Sequence, residues 1–146
     1  MSKSKDIGTA VESAVVKYLV ENGLHARRVA LAGVHDQGDV HVIAKDSRCT
    51  VIECKGGKQT HNPSRDQVAA WYLEAVSELA NVGAGGDIPV LVMKRKGTGA
   101  ANAHDWWAVL ELDDLNHLLG VKEKTGGLLV RISVGDFVSA LHEAGY

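Results

Sequence analysis

Two carboxylates are spaced in one stretch of the chain so that a β-hairpin would bring them together. Residues 39–44 and 49–55 are rich in β-branched side chains and are separated by a polar turn centred on Asp46. That turn places Asp39 opposite Glu53 across the hairpin, on one face of it. Like charges directly opposite each other destabilise a sheet unless a cation lies between them. The pair therefore predicts a metal site.

A lysine joins this pair, because side-chain alternation along the second arm puts Lys55 on the same face as Glu53. A carboxylate pair suits a hard cation such as Mg²⁺, with Mn²⁺ as a substitute. An adjacent ammonium group can orient an attacking water and neutralise charge that builds up on a phosphate. The three side chains together predict metal-dependent hydrolysis of phosphodiester bonds, which is the chemistry of a nuclease.

The same residues form a recognisable pattern, an acid followed after a gap by Glu-x-Lys on the next strand: Asp39, then Glu53-Cys54-Lys55. In this respect the chain resembles the PD-(D/E)xK nuclease superfamily, although Gly38 stands where that pattern usually has Pro. The resemblance implies a restriction-endonuclease-like fold and catalytic roles for the two acids and the lysine. It also implies that the Cys54 carbonyl completes the metal coordination.

A third acid, Glu12, lies inside the apolar arc of the first predicted helix, residues 8–22. It either extends to water from the edge of that arc or reaches the acids of the hairpin. Gly8 and Glu12 resemble the Gly-x-x-x-Glu opening of archaeal-type Holliday-junction resolvases, a branch of the same superfamily. That resemblance implies that Glu12 belongs to the catalytic and metal-binding set.

Cations on both sides of the hairpin are candidate DNA contacts. Arg27 and Arg28 fall in a predicted strand, residues 24–31, with one side chain on each face. The resembled resolvases also have an Arg in this strand, followed by a loop with a functional Ser. That Ser is absent here, and His35 or Asp36 could occupy similar space.

Further candidates follow the hairpin. Lys58 lies in a Gly-rich loop, and Lys94, Arg95 and Lys96 follow a buried strand, residues 88–93. A helix over residues 64–80 begins with the capping box Ser64-x-x-Gln67. Gln67 and Trp71 resemble the Gln-x-x-x-Tyr signature of RecB-type members, but a capping Gln and a core Trp explain them equally well. The predicted DNA-binding set is Arg27, Arg28, His35, Lys58, Gln67, Lys94, Arg95 and Lys96.

The elements that must position these residues are a helix, three strands, a helix, a strand and a small αβ tail. This order predicts an α/β sandwich with a mixed central sheet flanked by helices. With 146 residues, 45% of them hydrophobic, we expect one domain, with a core over residues 8–112 and an extension over 113–146. We also expect a frayed start over residues 1–6, a short helix capped by Asp113 or Asp114, and a last helix capped by Ser133.

The composition of the chain indicates the compartment in which the protein works and the partners that it binds. The sequence has no apolar run of membrane-spanning length and no secretory leader, so we expect a cytoplasmic protein without a membrane partner, whether a phage or a cell encodes it. The two cysteines do not predict a disulfide. With a net charge of −2, affinity for DNA must come from locally clustered cations.

The resemblance favours a Holliday-junction resolvase acting on branched, four-way DNA as a homodimer. The adjacent Trp106 and Trp107 should point to opposite faces of their strand, which leaves one ring to be covered by an interface or by the last helix. Two alternatives are a RecB-like or restriction-type nuclease and a DNA-binding protein of the same fold without catalysis.

Overall fold

The structure is a computed structural model that describes residues 3–30 and 35–146. Its strands are β1 (Ala26–Arg28), β2 (Val40–Ile43), β3 (Cys49–Lys55), β4 (Gly86–Met93), β5 (Trp107–Glu111) and β6 (Leu129–Ser133). Its α-helices are α1 (Lys3–Glu21), α2 (Arg65–Val82), α3 (Leu112–Leu119) and α4 (Val134–Glu143). Among the described residues, no helix is long and apolar enough to cross a membrane.

The strands form one sheet in chain order, from β1 to β6. Neighbouring strands are antiparallel except β3 and β4, which are parallel and are connected through α2. The sheet is therefore mixed, because a parallel pair needs a crossover whereas the hairpins on either side do not. The predicted α/β sandwich with a mixed central sheet is confirmed.

Helices cover both faces of the sheet. On one face α1, α3 and α4 bury a large apolar core that includes Leu19, Ile52 and Phe137. On the other face α2 packs Trp71 and Tyr72 against side chains of β4 and β5. Alternation along β3 therefore sends Ile52 and Cys54 toward α1 and sends Glu53 and Lys55 toward α2.

The hairpin of β2 and β3 has the predicted register. Val40 lies opposite Ile52 and Ile43 opposite Cys49, so Asp39 and Glu53 directly flank the pair at the end of the ladder. Ser47 in the turn has a φ of 75°, a left-handed conformation that closes the reversal. The register prediction is confirmed, and with it the predicted proximity of the two acids.

Two predictions near the start of the chain are wrong. Helix α1 begins at Lys3, so the expected frayed start is helical from there, while Met1 and Ser2 lie outside the described residues. Ile7 and Val11 pack against Gly56, which gives the first turns of α1 an apolar contact that the sequence pattern did not reveal. The strand predicted over residues 24–31 is only Ala26–Arg28, and its expected last residue, Leu31, lies outside the described part.

The C-terminal segment differs from prediction in one detail. Neither Asp113 nor Asp114 caps α3, whose N-cap is Glu111 without a side-chain hydrogen bond. Asp113 instead accepts hydrogen bonds from the Thr125 backbone N–H and hydroxyl, at 2.6 and 2.8 Å. Ser133 caps α4 as predicted, since its Oγ accepts from the Asp136 N–H. The division into a core and an extension stays a prediction.

Candidate active site

Asp39 is held at the start of β2 by backbone contacts with β3. Its N–H donates to the Ile52 carbonyl at 3.0 Å, and its Oδ2 accepts from the Cys54 N–H at 2.8 Å. The Asp39 carboxylate therefore accepts the hydrogen bond that the Cys54 N–H would otherwise donate to a backbone carbonyl of the neighbouring strand. An extended residue directs its N–H and C=O to the same side, so the Cys54 carbonyl also points toward Asp39.

Asp39 and Glu53 share a site that is poor in water. Burial, followed by contact with Glu53, raises the pKa of Asp39 to about 8. Burial also raises the pKa of Glu53 to about 8, and the nearby Glu78 adds to that effect. Two carboxyl groups that hold protons this strongly would be stabilised as anions by a cation between them.

Lys55 lies on the same face and forms an ion pair with Glu74 of α2, with Nζ 2.7 Å from Oε2. Burial lowers the pKa of Lys55, but the hydrogen bond to Glu74 and the charge of Glu53 outweigh it, so the pKa is raised. The ammonium group is therefore protonated at neutral pH and is held beside the carboxylate pair.

Glu12 reaches the site from α1. Its Oε2 accepts hydrogen bonds from Arg28 Nε at 3.1 Å and from Arg28 Nη2 at 2.9 Å. Burial, followed by the charge of Asp39, raises the pKa of Glu12, while Arg28 opposes that shift. Glu12 thus lies between Asp39 and Arg28, so it does not extend freely to water from the edge of the helix.

Two acids of α2 were missed by sequence reasoning. Glu74 binds Lys55, and Glu78 is buried against Glu53. The signal was present, because Glu78 follows the buried Trp71 by seven residues, which returns to nearly the same direction on a helix. Glu12 was predicted from the same feature, an acid on the apolar stripe of a helix.

The turn before Asp39 is anchored to the end of α2. Asn81 Nδ2 donates to the Asp36 carbonyl at 2.7 Å, and Gln37 Nε2 donates to the Asn81 carbonyl at 3.3 Å. Asp36 Oδ1 also accepts from the Gly38 N–H at 3.0 Å. Helix α2 therefore fixes both Lys55 and the turn that presents Asp39.

A cleft of about 470 Å³ opens beside the acids, lined by Asp36, Glu53, Lys55, Glu74, Ser77, Glu78 and Asn81. Within residues 3–30 and 35–146, no three His, Cys, Asp or Glu side chains are already arranged as a metal site. Mg²⁺ nevertheless commonly uses only one or two carboxylates, with waters and substrate phosphates as its other ligands. The desolvated pair Asp39 and Glu53, with the Cys54 carbonyl, fits that donor chemistry.

None of the residues predicted to bind DNA lines this cleft. Arg27, His35, Lys58, Gln67, Arg95 and Lys96 are exposed. Arg28 is engaged with Glu12, and the Gln67 N–H donates to Ser64 Oγ at 3.1 Å. Trp71 is buried in the core under α2. Ser64 thus caps α2 and Trp71 has the core role, while a capping contact of the Gln67 side chain stays a prediction.

The basic loop after β4 adjoins the candidate active site. The Lys94 N–H donates to the Lys55 carbonyl at 3.0 Å, and Thr60 Oγ1 donates to the Lys94 carbonyl at 2.8 Å. A second cleft, of about 260 Å³, lies here and is lined by Gly57, Thr60, His61 and residues 94–99. The segment with cations 94–96 therefore begins directly beside the end of β3, and its contact with DNA stays a prediction.

The two adjacent tryptophans differ in burial, Trp106 being fully buried and Trp107 partly. Trp106 is buried in the larger core and donates Nε1 to the Thr98 carbonyl at 2.8 Å. The guanidinium groups of Arg95 and Arg131 lie 4.7 and 4.4 Å from the centroid of the Trp107 ring. Trp107 is itself only partly buried, beside the core under α2, so its cover by a dimer interface stays a prediction.

The chain has few matches among known proteins. No protein-family model matches the chain, and no curated protein matches it. Among solved structures, the chain is similar to Hjc from Archaeoglobus fulgidus, a Holliday junction resolvase from an archaeal hyperthermophile. The identity is 21% and the TM-score 0.47, over 94% of this chain and 100% of that chain.

Proposed function

We propose that the protein is a metal-dependent DNA endonuclease whose active site contains Asp39, Glu53 and Lys55, with Glu12 beside them. The observation that carries this proposal is the convergence of two desolvated carboxyls and a charged lysine on one side of the hairpin. A site of this kind suits phosphodiester hydrolysis, because it can stabilise charge that develops on the phosphate.

Each residue has a separate role in the proposed reaction. Asp39 and Glu53, with the Cys54 carbonyl, would hold Mg²⁺ or Mn²⁺, which supplies Lewis-acid activation when bound. Lys55 orients the attacking water and stabilises the negative charge of the transition state. Glu74 keeps the ammonium group of Lys55 protonated and in place.

The preferred substrate is branched DNA, and the proposed activity is that of a Holliday-junction resolvase. Glu12 supports this choice, because the resolvase-like Gly8-x-x-x-Glu12 pattern predicts a third acid at the site and Glu12 lies beside Asp39. A four-way junction has two-fold symmetry and needs two matched nicks, so we also propose a homodimer. The exposed apolar side chains Leu73 and Val76 on the outer face of α2 are compatible with an interface.

The proposal is tested by incubating labelled four-way junction, flap, duplex and single-stranded DNA side by side, with Mg²⁺ or with EDTA. We expect junction cleavage in Mg²⁺ only. Faster cleavage of duplex than of junction would favour the restriction-type or RecB-like alternative. Junction binding without cleavage under any metal condition would favour a DNA-binding protein without catalysis.

The oligomeric state has its own test. Sedimentation at micromolar concentration should give the mass of a dimer, and a plasmid-borne cruciform should be converted to linear product by paired cuts. A monomer that releases only nicked circles would contradict the resolvase proposal, while the nuclease proposal would stand.

A further inference from the structure

Glu78 is a buried acid that none of the sequence motifs includes. The residue is 5% exposed, and its Oε2 is buried without a hydrogen-bond partner. Glu78 lies against Glu53, and the negative charges of Asp36 and Asp39 are close enough to interact with it. A carboxylate oxygen that is withdrawn from water and unpaired is costly unless a cation or a donor satisfies it.

The backbone before Asp39 passes close to this carboxylate and closer still to Val51. A Cβ atom on Gly38 would lie 3.0 Å from Glu78 Oε2 and 2.6 Å from Val51 Cγ1. The φ of Gly38 is +94°, which proline, fixed near −65°, cannot adopt. Glycine at position 38 therefore suits both the positive φ of this turn and the close approach of Val51 and of the Glu78 carboxylate.

Glu74, the other acid on this side of α2, does not have the same properties. Its side chain is 48% exposed and is already paired with Lys55. Glu78 is buried, has an unsatisfied oxygen and contacts one of the two carboxyls assigned to the metal. Of the two residues, Glu78 is therefore the one whose carboxylate has a buried oxygen without a partner.

We propose that Glu78 is a third carboxylate ligand of the divalent cation held by Asp39 and Glu53. The inference rests on the proposed function, in that it requires a cation at that pair. This role requires the Glu78 side chain to turn from Glu53 toward Asp39, because no three acids of residues 3–30 and 35–146 are already arranged as a metal site. Helix α2 would then hold both the metal, through Glu78, and the catalytic lysine, through Glu74.

A different role for Glu78 would be structural, as the partner with which Glu53 shares a proton. The isosteric variant Glu78→Gln separates the two roles, because a glutamine amide can still donate a hydrogen bond to Glu53 but is a poorer ligand for a hard cation. Glu78→Asp keeps the charge and withdraws it by one methylene. Asp66→Asn is the matched control, an exposed acid on the same helix about 18 Å away along its axis.

The experiment is calorimetric titration of the folded proteins with Mn²⁺, together with the shift in Tm that Mg²⁺ produces, without DNA. We expect Glu78→Gln to fold in EDTA and to bind Mn²⁺ at least ~10-fold more weakly than the parent protein, with a smaller Tm shift. The Mn²⁺ affinity of Glu78→Asp should lie between the affinities of the parent protein and Glu78→Gln. The affinity of Asp66→Asn should equal that of the parent protein.

The outcomes are distinguishable. Parent-like Mn²⁺ binding by Glu78→Gln, with loss of binding in Glu53→Gln, would overturn the role of Glu78 and leave the proposed function standing. Failure of the parent protein to bind Mn²⁺ would overturn both.

Discussion

The Lys55 ammonium nitrogen lies 2.7 Å from a carboxylate oxygen of Glu74, so a residue of β3 and a residue of α2 form an ion pair at the edge of the candidate active site. The Lys55 side chain is 20% exposed and the Glu74 side chain 48%. The pair orders the lysine without removing it from the cleft. The lysine is thus positioned before any substrate arrives, as electrostatic stabilisation of a transition state requires.

Replacing Lys55 with alanine should therefore lower the rate of cleavage more than the affinity for DNA. We expect a loss of ~10²–10³-fold in single-turnover rate, similar to the loss of one transition-state donor in other enzymes. Lys58→Ala serves as the contrast, because this exposed cation should affect affinity only. If Lys55→Ala weakened binding and left the rate of the bound complex unchanged, Lys55 would be a backbone contact.

Glu12→Gln tests whether Glu12 has a role in the reaction. Its ion pair with Arg28 is partly exposed and should contribute only ~0–1 kcal/mol to stability, so Tm should change by a few degrees at most. Cleavage should nevertheless fall, because the variant removes a charge beside Asp39. Glu21→Gln, which removes an exposed acid paired with Lys17 on the same helix, is the control. Normal cleavage by Glu12→Gln would leave Glu12 with a structural role only.

The stability of the metal-free protein should decrease with rising pH in the range set by the two acids. The pKa of Asp39 and of Glu53 is raised to about 8 in the folded state, against about 4 for free side chains. Between these values the folded protein binds more protons than the unfolded chain, so each rise in pH lowers the free energy of unfolding. The stabilisation of the fold by the protonated carboxyls of Asp39 and Glu53 is complete below about pH 4 and lost above about pH 8.

Thermal melts in EDTA between pH 5 and 8.5, compared with those of Asp39→Asn, isolate this effect from other titrating groups. As the pH rises, the Tm of the parent protein should fall more than the Tm of the variant. The increase in the Tm of the parent protein on addition of Mg²⁺ should be largest at the alkaline end of this range. Parallel pH profiles for the two proteins would show that Asp39 does not hold a proton in the fold.

The basic loop should contribute to DNA affinity without base preference. Lys96→Ala should weaken binding to all DNA structures and reduce the slope of log affinity against log salt by about 1. Lys45→Ala is the control, since this exposed lysine lies at the turn of the hairpin, at the other end of β3 from Lys55. Equal effects of the two variants would indicate that the loop does not contact DNA.

Local sequence pattern predicted the hairpin well. The register between β2 and β3 follows from a period of two, β-branched strands and a compact polar turn, all of which are local properties. Asp39, Glu53 and Lys55 could therefore be placed together before the structure was known. Glu12 was found for a similar reason, since an acid on an apolar helix face is visible in the sequence.

The contact of Glu74 with the active site could not be predicted in the same way, although the place of Glu78 on the apolar stripe of α2 was visible in the sequence. Glu74 reaches Lys55 only because the crossover after β3 returns α2 across that face of the sheet, and no spacing in the sequence encodes this approach. The start of α1 was missed because its first turns are stabilised by a tertiary contact of Ile7 with Gly56. The cation partners of Trp107 are likewise far apart in the chain, at Arg95 and Arg131.

The most direct measurement is the Mg²⁺-dependent, single-turnover cleavage rate of Asp39→Asn on a labelled four-way junction. Asparagine keeps the shape of the side chain and an oxygen to accept the Cys54 N–H, so the variant should fold and its Tm in EDTA should equal or exceed that of the parent. The account predicts that cleavage falls to the level seen in EDTA while junction binding persists. Undiminished cleavage by this variant would contradict the assignment of the active site.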